Sequence, residues 1–203
     1  MKKGLTEIIF ILDRSGSMFP TIDDTIGGFN ATIEKQKNIE GECLVSTVLF
    51  NEHSKVLHDR VDLKNINELT KKEYDVNGCT ALLDAIGDAI HHIKNVHKYI
   101  REEDRPEKTM FIITTDGMEN ASRKYNYNNI KRVIEAQKEQ GWEFIFLGAN
   151  IDAYEEGKKF GISEDCICDY SQDKEGINIQ YSRISNAMSQ VRRNGKVEDS
   201  WKD

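Results

Sequence analysis

The sequence predicts an α/β fold: a doubly wound, mostly parallel sheet with one antiparallel edge strand and helices on both faces. Three observations carry this. Apolar runs of strand length alternate with longer stretches of helical periodicity along the chain. Two neighbouring strand-like runs are separated by the four residues "NEHS", too few for a crossover helix, so they pair as a hairpin. No linker, low-complexity tract or repeat breaks the alternation. The 203 residues therefore read as one domain over 1–194, followed by a frayed tail, "GKVEDSWKD", over 195–203.

The elements follow in order. "LTEIIFIL" (5–12) is a compact Ile-rich run, read as a buried strand. Residues 21–38 place Ile22, Ile26, Phe29 and Ile33 near helical spacing, and Pro20 suits a helix start. "CLVSTVLF" (43–50) and "KVLHDRVDL" (55–63) form the hairpin. Residues 80–103 carry an apolar stripe of Leu82, Leu83, Ile86, Ile90, Ile93 and Val96, read as a long helix. "EKTMFIITT" (107–115) is a strand, 126–140 a helix stopped by Gly141, and "WEFIFLGA" (142–149) a strand. A short helix over 153–161 also ends at a glycine. "CICDY" (166–170) reads as a last strand and 175–194 as the final helix.

This arrangement puts three oxygen-rich loops beyond strand ends. In "ILDRSGSM" (11–18) the first strand stops at Asp13, and Ser15 and Ser17 alternate with it. In "NGCTALLDA" (77–85) Thr80 stands before a helix, and in "TTDGMEN" (114–120) Asp116 leaves a strand. Ligands of doubly wound sheets bind beyond the carboxyl ends of the strands. One carboxylate and two hydroxyls on a tight turn suit a phosphate, a hard metal ion or merely a helix N-terminus. Ser15, Ser17 and Thr80 are ordinary capping types, and Asp-Gly is a common turn. Taken together, the three loops offer oxygen and no placed His or Cys, which is the chemistry of Mg²⁺, Mn²⁺ or Ca²⁺ rather than zinc. With only two formal negative charges around it, such an ion stays electrophilic and can attract an external carboxylate.

Composition excludes several classes. Charged residues make up 31% and hydrophobic ones 38%, as in soluble globular proteins. The net charge of -7 argues against non-specific binding to nucleic acid or an anionic membrane, Arg192-Arg193 being a short exception. No run approaches the roughly 18 apolar residues of a membrane span. After Met1-Lys2-Lys3 the apolar run is too short for a signal peptide and meets Asp13. Cys43, Cys79, Cys166 and Cys168 lack zinc-type spacing and read as reduced thiols of a cytoplasmic protein.

"DRSGSM", with the Thr of "GCTALLDA" and the Asp of "TTDG", resembles the three-part motif of von Willebrand factor A domains, the integrin I-like, Rossmann-like fold. The resemblance covers roughly residues 5 to 170. The chain is similar to small stand-alone cytoplasmic A-domain proteins of bacteria and phages. It implies a metal-ion-dependent adhesion site at Asp13, Ser15, Ser17, Thr80 and Asp116. In this family the three hydroxyls coordinate directly or through water, and the two carboxylates bind the ion or anchor its waters. A partner's Asp or Glu often completes the shell. The expected cofactor is Mg²⁺, or else Mn²⁺ or Ca²⁺. The expected function is non-enzymatic, metal-dependent protein binding by a chain that is a monomer on its own.

Two rivals stand beside it. A Mg²⁺-dependent phosphatase or phosphotransferase would use Asp13 as nucleophile. Its acid/base residue would fall two positions later, where Ser15 stands, and no P-loop is present. A structural module with an empty site would leave Asp13 and Asp116 facing one another. Among other candidates, Cys79 reads as a small loop residue rather than a reactive thiol. His91 and His92 are adjacent on a helix and diverge. Asn150 and Asp152 follow a strand near the ligand face, with Asp152 the better helix cap. Asp84, one turn after Thr80, is a possible supporting acceptor for that loop or a plain exposed helix residue.

Overall fold

The computed structural model describes all 203 residues. Six strands run β1 (Lys2–Asp13), β2 (Glu42–Phe50), β3 (Ser54–Asp62), β4 (Pro106–Thr115), β5 (Trp142–Gly148) and β6 (Ile167–Asp169). Five helices connect or flank them: α1 (Ile22–Lys37), α2 (Leu82–Tyr99), α3 (Tyr127–Lys138), α4 (Ala153–Lys159) and α5 (Lys174–Asn194). The sheet order is β3-β2-β1-β4-β5-β6. Every pairing is parallel except β2 with β3, the expected hairpin at one edge.

Alternation along β1 divides the core into two layers. Ile8, Phe10 and Leu12 face α1 and α5, with Phe29, Ile33, Ile184 and Met188 in the same cluster. Ile9 and Ile11 face α2 and α3, meeting Leu82, Ile86, Ile90 and Ile130. A strand covered on both faces has to be apolar throughout, which is why β1 reads as a continuous run. α1 and α5 approach closely, since a β-carbon on Gly28 would strike the Tyr181 ring. Arg192 of α5 seals the end of α1 by donating to the carbonyls of Gln36, Ile39 and Gly41 at 2.6, 2.9 and 3.0 Å.

Several expectations shift. Pro20 does not open α1; it lies in a 3-10 turn over Gly16–Thr21 that precedes it. That turn is started by the Met18 N–H on the Ser15 carbonyl at 3.0 Å, so Ser17 rides on a tight turn rather than a helix. α2 begins at Leu82 and ends at Tyr99, shorter than its charged flanks suggested. α3 starts at a reciprocal cap between Asn126 and Asn129. The segment 195–203 is not frayed. Gly195 ends α5 in the left-handed region, at φ 80°, and the chain then turns back. Trp201 is wholly buried, and its indole N–H donates to the Asp165 carbonyl at 2.7 Å. Burial of the indole adds to the hydrogen bonds that the tail makes to Glu143, Gln190 and Glu164, and together they oppose the chain entropy lost on docking.

Candidate metal centre

The chain leaves β1 outward to β2 and β3, then returns past β1 to β4. Strand order therefore reverses between β1 and β4, and the crevice beyond their carboxyl ends is the place where such sheets hold ligands. Asp13 ends β1 and Asp116 follows β4. The register sets Leu12 beside Thr114, which brings Asp13 level with Thr115.

Asp13 is held on both oxygens. Its Oδ1 accepts the Ser15 N–H at 2.7 Å, a local turn that folds "DRS" back on itself. Its Oδ2 accepts the Thr115 hydroxyl at 2.6 Å. The Tyr74 hydroxyl donates to the Asp13 carbonyl from below. Ser15 Oγ and Ser17 Oγ lie 3.0 Å apart, and Ser17 Oγ donates to Asp116 Oδ1 at 2.6 Å. Neither serine caps a helix through its side chain, and Thr80 does not cap α2, whose N-cap is Ala81. The capping duties that would explain these residues otherwise are absent from the fold.

Thr80 arrives from a third segment. Gly78, at φ 76°, turns the chain, and a β-carbon there would strike the Glu52 carboxylate. The Gly78 carbonyl accepts the Gly16 N–H at 3.0 Å, which ties this loop to the Ser15–Ser17 turn. Asn120 clamps Thr80 through its side-chain oxygen on the Thr80 N–H, at 2.9 Å, and through its own N–H on the Thr80 carbonyl, at 3.0 Å. A β-carbon on Gly117 would lie 3.6 Å from Thr80 Oγ1 and 3.7 Å from Ser17 Oγ. The two hydroxyls therefore flank Gly117, and all five expected residues meet in one crevice.

The electrostatics of this crevice are unbalanced. Asp13 is 1% exposed and Asp116 2% exposed. Neither forms an ion pair with any Lys, Arg or His in the structure. Burial raises the Asp13 carboxyl above its ordinary range, against the lowering effect of the Thr115 and Ser15 hydrogen bonds. Burial pushes Asp116 up to about 6, with the nearby Asp13 charge adding to it and the Ser17 hydrogen bond opposing it. Buried carboxylates are ordinarily paired or bound to a metal. The donor set, two carboxylates and three hydroxyls, fits a hard divalent cation that keeps some water. The structure holds no group of three or more His, Cys, Asp and Glu placed for a metal, so a cation here depends on the hydroxyls.

The remaining candidates fall elsewhere. Asp84 does not support Thr80. Its carboxylate accepts the N–H groups of Arg123, Lys124 and Tyr125 and shapes the 121–125 loop instead. Asp152 caps α4 through the Glu155 N–H at 2.8 Å. His91 reaches the Gly87 carbonyl and His92 pairs with Asp59, so the two diverge. The four cysteines are free, and Cys79 is exposed, its N–H on the Glu52 carboxylate at 2.6 Å. Sequence reasoning missed Thr115, Asn120 and Gln172. Thr115 carries a signal, since it adjoins Asp116, but it needs the β1–β4 register to become meaningful. Asn120 acts across loops and carries none, and neither does Gln172, whose side-chain amide donates to Asp116 Oδ2 and to the Ser17 carbonyl.

Other proteins share this architecture. The vWF domain of the type V pili tip protein from Porphyromonas gingivalis superposes with a TM-score of 0.66 at 10% identity, covering 96% of this chain and 98% of that one. The proximal thread matrix protein 1 of the mussel byssus, in a structure with a zinc-occupied MIDAS motif, superposes at 0.63 with 13% identity over 92% of this chain. The chain spans less than half of that protein, 46% of its length. A von Willebrand factor type A protein from Catenulispora acidiphila gives 0.61 at 16% identity, over 91% of this chain and 42% of that one. At these identities the likeness concerns the fold. Comparison with curated protein sequences finds none that matches. The family model of the von Willebrand factor type A domain, a protein-interaction module, matches residues 7–181, from the middle of β1 into α5. With the three loops of the crevice all inside that span, the chain belongs to the von Willebrand factor type A domain family.

Proposed function

We propose that this chain is a non-enzymatic protein-binding module whose crevice holds a Mg²⁺-type cation, and that the cation takes an Asp or Glu of a protein partner. Asp13, Ser15, Ser17, Thr80 and Asp116 would hold the ion. The observation that carries the reading is the pair of buried carboxylates without a cationic partner, ringed by three hydroxyls that cap nothing. The cation would supply a charge that draws in an anionic oxygen. The chain's own residues position it: Thr115 and the Ser15 N–H orient Asp13, Ser17 orients Asp116, and Asn120 sets Thr80.

The rim supports a protein rather than a small anion as the partner. Phe19 is 72% exposed and lies two residues after Ser17, and Met118, 64% exposed, lies two residues after Asp116. Large apolar side chains on both metal-site loops suit a partner whose acidic residue is flanked by apolar ones. The phosphatase reading fares worse. Both oxygens of Asp13 are engaged and the residue is 1% exposed, which is a poor state for a nucleophile. Four free thiols accord with a reducing, cytoplasmic setting. The test is affinity capture from the native host by the parent chain and by Asp116→Asn, with and without EDTA. Partners held by the parent with Mg²⁺, and lost both with EDTA and in the variant, support the reading. The same set in all arms overturns it.

A further inference from the structure

Gln172 lies in the loop between β6 and α5, 56 residues from Asp116, and its side chain reaches into the crevice. Its Nε2 donates to Asp116 Oδ2 and, at 2.8 Å, to the Ser17 carbonyl. Its Oε1 accepts the Asn150 side-chain N–H. Asn150 adopts φ 54°, in the left-handed region that asparagine enters more readily than other non-glycine residues. The Gln172 loop is braced, because the next residue, Asp173, caps α5 through the Gly176 N–H at 2.8 Å. Asp116 is nearly covered while Gln172 is half-exposed, so the amide is part of what separates Asp116 from solvent.

A primary amide is an unusual group to place there. Its nitrogen suits a bare carboxylate, and its oxygen, on the same planar group, suits a hard cation. Asn150 is matched to either orientation, since it also can donate or accept. Being neutral, an amide oxygen leaves the charge of the ion undiminished and yields to a carboxylate. We propose that, with its amide turned over so that Oε1 faces the crevice and Nε2 faces the Asn150 side-chain oxygen, Gln172 is an internal ligand of the cation site, holding the coordination position that the partner's carboxylate takes over. This rests on the cation reading above and adds to it the group that the partner must displace.

The experiment uses the full chain, stripped of divalent ions, with Mn²⁺ as the probe. Free Mn²⁺ is followed by electron paramagnetic resonance, and the water coordinated to bound Mn²⁺ by proton relaxation. Gln172→Glu is expected to tighten Mn²⁺ about tenfold, because a charged ligand replaces a neutral one. It should also lower the melting temperature without metal, since a third carboxylate joins Asp13 and Asp116. Gln172→Ala should weaken Mn²⁺ by about threefold, with water replacing the amide. Its bound Mn²⁺ should show greater water relaxation than the parent's, and Asn150→Ala should move the same way. If these variants lower the melting temperature yet keep the parent's Mn²⁺ affinity and relaxation, Gln172 is a structural brace and the inference is overturned. If the parent itself binds no Mn²⁺, the cation reading falls and takes this inference with it.

Discussion

Replacing Asp116 by Asn removes a buried charge while keeping the shape, so it separates a cation site from a structural carboxylate. In the metal-free protein Asp116 is pushed to about 6, against an ordinary value of 3.8. Two units correspond to about 3 kcal/mol at neutral pH. Ser17, which donates to it, is exposed, and screening by water through that side reduces the penalty to about half. The amide keeps one acceptor oxygen and loses the other, at a cost of about 1 kcal/mol for one of the bonds from Ser17 and Gln172. The metal-free variant should therefore be slightly more stable than the metal-free parent at pH 7.5, by roughly 0.5 kcal/mol. For a chain of this size that is a rise in Tm of about 1–2 °C. Saturating Mg²⁺ should reverse the ranking. At a hundred times its Kd it adds about 2.7 kcal/mol to the parent, roughly 5–10 °C, and nothing to the variant. The pH dependence has a definite sign. A carboxyl whose folded value is raised disfavours folding when ionised, so the variant's advantage is full above about 6 and fades as pH falls towards 3.8. Differential scanning calorimetry with EDTA and with Mg²⁺, at pH 7.5 and pH 4.5, reads all of this. An equal Mg²⁺ gain in both proteins, or a metal-free variant several degrees less stable than the parent, would refute the reasoning.

Three further outcomes follow from other parts of the structure. Thr80→Ala should weaken metal binding only about two- to threefold, because water replaces one neutral ligand. It should weaken partner binding more, because the hydroxyl that helps fix the ion facing the partner is lost while the Asn120 clamp on the Thr80 backbone survives the change, and equal losses in the two titrations would leave Thr80 a ligand without a switching role. Phe19→Ala and Met118→Ala should leave Tm within about 2 °C of the parent, as exposed positions do, yet lower metal-dependent partner capture. Unchanged capture would remove the apolar rim from the interface. Trp201→Ala should cost about 3–5 kcal/mol by emptying a wholly buried site. A urea melt showing less than about 1 kcal/mol of loss would mean the tail is not docked in solution.

Local pattern determined much of this protein. The continuous apolar run of β1, the four-residue gap of the β2–β3 hairpin and the stripe along α2 each depend on neighbours a few residues away, and all three were legible. The five oxygen-bearing residues were legible for a similar reason, because each stands in a short motif at the end of an element. Tertiary structure decided what those residues do together. Thr115 matters because parallel register sets it beside Asp13, and register is a property of two strands a hundred residues apart. Asp84 serves the 121–125 loop rather than Thr80 because that loop folds back over the start of α2. Trp201 docks, against the expectation from a polar tail, because a gap beside α5 and β6 accepts its ring and a carbonyl accepts its N–H. Gln172 enters the site from the end of β6 and nothing within its stretch of sequence marks it, whereas Asn150, which follows β5, was legible as a residue near the ligand face though not as the partner of Gln172. A side chain's periodicity and capping chemistry are set by the chain near it, whereas its hydrogen-bond partner across a crevice exists only once the sheet has closed in one register and the helices have packed against it.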